Sequence, residues 1–128
     1  MKKIVIKGVA LFVALFSSSL FALPLKQAKL TVSGYQGGET TLENFPLLVR
    51  ISETGIQGFS YADCAEGGVD ISFALADGTD LPYEIDTWNA EGESLVWVRL
   101  PALQGTETSF YFRWNDSGPA ENIPSNVW

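Results

Sequence analysis

Glu84-Ile85-Asp86, followed by Asn89, is the first stretch of this 128-residue chain whose residue types could carry chemistry. Two carboxylates at i and i+2 share one face of a β-strand. Retaining glycosidases on jelly-roll folds carry a Glu-x-Asp-x-x-Glu strand, and their mechanism needs two carboxyl groups about 5 Å apart across the sugar. The second glutamate would fall at position 89, which is Asn89, so the acid/base partner is missing. The pattern leaves a small glycoside hydrolase as a remote alternative, assigns no catalytic residue, and makes a solvated strand face the better reading.

Two further constellations are candidates for binding. Asp70, Asp77, Asp80, Glu84 and Asp86 cluster near one turn, and calcium takes about six to eight oxygen ligands. Their spacing is not that of an EF-hand loop, and Asp77-Gly78 is a good hairpin turn without any metal. Calcium is therefore a candidate ligand at these five carboxylates, and no other cofactor is expected. Tyr83, Trp88, Trp97, Tyr111 and Trp114 could form a stacking platform for sugars, although aromatics at alternate strand positions belong more often to a core. Trp88 beside Asn89, at the end of a strand, combines a ring with an amide and is the candidate ligand-binding pair. With no histidine in the chain, histidine triads and histidine metal sites are excluded. Cys64 is the single cysteine, which rules out an intramolecular disulfide. It has no base partner in sequence and reads as an inert, buried side chain rather than a redox or intermolecular one.

The elements that must position these residues follow from hydrophobic alternation. Residues 1–22 have the form of a secretory signal: Lys2, Lys3 and Lys7, the apolar run Gly8 to Phe16, and a cut after Ala22. The apolar run is too short for a membrane span, which needs about 20 residues. Cleavage would remove three lysines and no acidic residue, taking the formal charge from −7 to −10. Such a chain repels phosphate backbones and anionic lipid, so nucleic-acid binding and stable membrane insertion of residues 23–128 are not expected. Thirteen of the sixteen aromatics remain after cleavage, enough for the core of one small domain.

Lys26 to Tyr35 alternates Ala28, Leu30 and Val32 against polar residues and predicts a first strand. Phe45 to Ile51 predicts a second, with Pro46 at its start or at a sheet edge because it cannot donate a ladder bond. Phe59 and Tyr61, in the glycine-rich stretch from Ser52 to Gly68, are expected to plug one end of the core. Val69 to Leu100 reads as three short strands, joined by Asp77–Asp80 and by Asn89–Glu93. Ile71, Phe73, Leu75, Tyr83 and Ile85 alternate as in half-buried strands, and Val96-Trp97-Val98 reads as an inner strand with Trp97 in the core. Thr108 to Trp114 closes the set with Phe110, Phe112 and Trp114 inward. The fold class is all-β: an antiparallel, jelly-roll-like β-sandwich of six or seven strands.

Gly58-Phe59, Cys64, Asp70, Phe73, Asp77-Gly78, Leu81-Pro82-Tyr83-Glu84-Ile85, Trp88-Asn89, Val96-Trp97-Val98, Pro101-Ala102-Leu103 and Asn126-Val127-Trp128 together resemble a bacterial exported family, domain of unknown function (DUF) 2341. Where that family shows glycine-asparagine after the last strand, this chain has Asn115-Asp116. Members often continue from a valine-tryptophan pair into a concanavalin A-like lectin domain, and some sit beside proton-channel proteins of the ExbB/TolQ/MotA type. The family carries no assigned catalytic residues. The resemblance implies a non-enzymatic, exported accessory module that is periplasmic, outer-membrane-associated or extracellular, and that binds a glycan or packs against a following lectin-like domain. The alternative it implies is a structural or assembly component of a cell-envelope complex that contacts a protein partner. It also implies that Val127-Trp128 begins the first strand of a downstream domain.

Overall fold

The period-two alternation read from the sequence builds six strands in the computed structural model, which describes residues 26–37, 39–105, 107–115 and 127–128. The signal segment 1–22 and the turn residue Asp116 lie outside the described residues. The strands are β1 (Lys26–Ser33), β2 (Leu42–Ile51), β3 (Ser72–Ala74), β4 (Tyr83–Thr87), β5 (Ser94–Leu103) and β6 (Glu107–Trp114). They form two antiparallel three-stranded sheets, ordered β1-β6-β3 and β2-β5-β4, so the fold is a β-sandwich. β5 is an inner strand, as its apolar run predicts.

The core fills the space between the sheets. β6 contributes Phe110, Phe112 and Trp114, and β5 contributes Val96, Val98 and Leu100. Phe73 stacks on Phe112 at 5.2 Å between ring centroids. Each such side chain contributes about 1.5–3 kcal/mol when fully buried. Phe59 and Tyr61 close one end as expected: Phe59 lies edge-on to Tyr61 at 4.9 Å and to Trp114 at 5.2 Å. The stretch that carries them includes two short 3-10 turns, Tyr61–Asp63 and Glu66–Gly68. Gly68 needs to be glycine, since it sits at φ +73 and a Cβ there would lie 2.7 Å from the Trp88 ring.

Hydroxyl groups pin the sandwich where side chains cross it. The Tyr83 hydroxyl donates to the Ile71 carbonyl at 2.9 Å, tying β4 to the segment entering β3. The Tyr61 hydroxyl donates to the Ile51 carbonyl at 2.9 Å, which leaves its oxygen to accept from Ser94 Oγ at 2.8 Å. Ser94 Oγ in turn accepts the Asn89 N–H at 2.8 Å and fixes the start of β5. A buried serine in an apolar core is tolerated here because its hydrogen bonds are made.

Three expectations are corrected. First, Asp77–Asp80 does not join a paired β3–β4 hairpin. It makes a tight turn, with Leu75 N–H donating to the Thr79 carbonyl at 2.9 Å and Gly78 at φ +92. Pairing stops after the single Ala74–Asp80 bridge, and β4 joins the other sheet against β5. Pro82 cannot donate to a ladder with β3, and burial of Leu81 and Tyr83 turns the chain across the core. Second, β3 is buried on both faces rather than half-buried, since Ser72 and Ala74 are as enclosed as Phe73. Third, Trp97 is not a core residue. Inward Val96 and Val98 force it onto the outer face of the sheet, where it is half-buried.

Proline handling follows the ladder rules. Pro46 lies within β2, an edge strand, as expected. Pro101 lies in β5 at the point where the β2–β5 register skips from Glu43–Ala102 to Phe45–Leu100, and Asn44 there takes φ +52, a left-handed conformation that asparagine tolerates. Asn115, just after β6, does the same at φ +58.

Candidate functional site

β5 presents Leu95, Trp97 and Arg99 outward because Val96, Val98 and Leu100 point into the core. The antiparallel register then sets Leu48 of β2 and Glu84 of β4 on either side of Trp97, Pro46 beside Arg99, and Arg50 beside Leu95. Trp128 returns to this face. Its ring lies 5.1 Å from that of Trp97 at an interplanar angle of 60°, and its Nε1–H donates to Glu84 Oε1 at 2.8 Å. Val127, its neighbour, is buried, whereas Trp128 is 66 % exposed. An indole held at its edge by a carboxylate and at its side by a second indole keeps a fixed orientation without being covered. Arg50 Nη1 donates to Glu93 Oε1 at 2.9 Å and closes one rim of the face with an ion pair.

Of the sequence-derived candidates, Trp97 and Glu84 lie on this face and the others fall elsewhere. Trp88 is half-buried, edge-on to Tyr61 at 5.3 Å and packed over Gly68, so its ring belongs to the end of the core. Asn89 is exposed, but its Oδ1 accepts the Glu91 N–H at 3.0 Å and organises the β4–β5 turn. Tyr83 and Trp114 are core, and Tyr111 lies on the outer face of the other sheet beside Lys29 and Ala74 in register. Among the five carboxylates, Asp77 Oδ1 accepts the Thr79 N–H at 2.9 Å, which holds its carboxyl below the usual range. Glu84 is engaged by Trp128, Asp86 Oδ2 accepts the Thr87 hydroxyl at 3.1 Å, and Asp80 pairs through its backbone with Ala74. Asp70 lies at the entrance to β3 with Oδ1 buried, and its charge adds to burial in raising the Tyr83 hydroxyl pKa. Among the described residues, no three His, Cys, Asp or Glu side chains are grouped to hold a metal ion.

The Glu84–Asp86 pair also lacks the regular spacing a strand face would give it. A bulge between Ile85 and Thr87 makes Asp86 the extra residue, with Thr87 opposite Leu95. A cleft of about 620 Å³ lies at the loop end, lined by Ser52, Glu53, Tyr61, Glu91 and Glu93. Two of its three carboxylates already serve the fold: Glu53 Oε2 accepts the Tyr61 N–H at 2.8 Å, and Glu93 is the partner of Arg50. Cys64 is half-buried, and burial, helped by Asp70 and Asp63 against Lys26, pushes its thiol pKa up to about 12. That thiol is protonated at neutral pH and is a poor nucleophile.

Sequence reasoning named Trp97 and Glu84 in separate sets and missed Trp128, which brings them together. Leu95 to Val98 is apolar throughout, so no local signal marks Trp97 as the outward residue. Nothing local in sequence brings Trp128 to Glu84, 44 positions away. No protein-family model matches the chain, and neither a curated protein nor a solved structure does.

Proposed function

We propose that this chain is a non-enzymatic, exported accessory module that binds carbohydrate through the outer face of the β2-β5-β4 sheet. The observation that carries the reading is the Trp128 ring, 66 % exposed yet fixed by Glu84 and Trp97. The apolar C–H face of a pyranose stacks on such a ring, and the carboxylate beside it accepts hydroxyl hydrogen bonds. A stable protein–protein interface buries about 800 Å² on each partner around an apolar centre. The large hydrophobics exposed among the described residues are Val69 and Trp128, which supports a small ligand on one ring over a broad protein face.

Native gel electrophoresis through soluble polysaccharides tests the reading. The protein is expected to be retarded by at least one of them, and Trp128→Ala is expected to run free. Equal mobility of the two proteins in every gel would overturn it. Export is checked by cell fractionation, with a protein shortened near Ala22 expected outside the cytoplasm and full-length protein in the cytosol as the contrary result.

A further inference from the structure

Resting on the carbohydrate reading above, we propose that this site takes a single residue within a soluble, uncharged glycan, and rejects both crystalline polysaccharide and uronic-acid polymers. The geometry of the rings carries the first half. A crystalline polysaccharide surface is flat and is matched by aromatic rings lying in one plane. Trp97 and Trp128 are inclined at 60° with centroids 5.1 Å apart, so they form a corner in which only one ring is widely open. One sugar residue can lay its C–H face on Trp128 and turn its edge toward Trp97; a second ring of the same chain meets no coplanar partner among the described residues.

Charge carries the second half. The Trp128 indole nitrogen lies 2.8 Å from a Glu84 oxygen, so any group stacked on that ring is close to a carboxylate. Asp86 follows on the same strand, and the chain has a formal charge of −7. A uronate brought to the ring meets like charge, whereas a neutral sugar brings hydroxyl donors to the free lone pairs of Glu84. Arg99, next outward on β5, pairs in register with Pro46 and lies one row from the Trp97–Glu84 pair.

The test uses the whole chain in native affinity gels with neutral soluble glycans (β-glucan, glucomannan, xylan) and with polygalacturonate and alginate, alongside sedimentation with microcrystalline cellulose and crystalline chitin. Retardation by a neutral soluble glycan, with no sedimentation and no retardation by the uronates, is the expected result. Trp128→Ala should weaken the neutral interaction about tenfold. Glu84→Gln, which keeps an oxygen for the indole N–H, should narrow the gap between neutral and uronate affinity. Co-sedimentation with either crystal, or uronate binding as strong as neutral binding, would overturn this inference while leaving carbohydrate binding standing. An unchanged gap in Glu84→Gln would overturn the charge argument. Failure to bind any polysaccharide would instead remove the underlying reading.

Discussion

Cys64 shows how a residue's surroundings decide its chemistry. From sequence it was a lone thiol without a base; in the fold, burial first and then Asp70 and Asp63 raise its pKa from 9.0 to about 12. Because the folded value lies above the unfolded one, the protonated thiol's contribution to stability is full below about pH 9 and is lost as pH rises toward 12. Alkylation by iodoacetamide at pH 8 should be at least about tenfold slower in the native protein than in urea. A native alkylation rate that rises with a midpoint near pH 9 would show that the thiol is not shielded in this way. Trp88 and Asn89 teach the complementary lesson. Their types suit sugar recognition, but the close approach of Gly68 to the Trp88 ring cannot be read locally, and it makes that ring part of the core's end.

Strands were legible where one side of the alternation was polar, and misread where both sides were apolar. β1 and β6 show clean alternation, and their inward residues Leu30, Val32, Phe110 and Phe112 were identified correctly. In β5, Leu95 to Val98 is apolar throughout, so sequence could not say which phase faces the core. The register answers by placing Val96 against Val49 and Ile85, and Trp97 against Leu48 and Glu84. The partition of strands between sheets was hidden for another reason: a one-bridge turn followed by Pro82 looks like a hairpin until burial of Leu81 and Tyr83 carries the chain across. The outward phase of β5 has a measurable consequence. Phe112→Ala removes a fully buried ring and should cost about 3–5 kcal/mol, whereas Trp97→Ala should cost clearly less. Urea melts of the two variants decide it, and a Trp97→Ala loss equal to that of Phe112→Ala would return Trp97 to the core.

At the scale of the molecule, the described residues form an acidic sandwich whose core is built from buried side chains of both sheets. Among the described residues, no helix is long and apolar enough to cross a membrane. The proposed function hangs on whether the outer face of β2-β5-β4 meets a ligand at Trp128. The four indole N–H groups provide separate reporters of that event, from Trp128 on the face to Trp114 in the core. Titrating uniformly 15N-labelled protein with neutral oligosaccharides, while following the four indole resonances, tests this directly. The account predicts a saturable shift of the Trp128 indole with a smaller one at Trp97, and an unmoved Trp114. Four unmoved indoles across the glycan series, or shifts confined to Trp88, would contradict it.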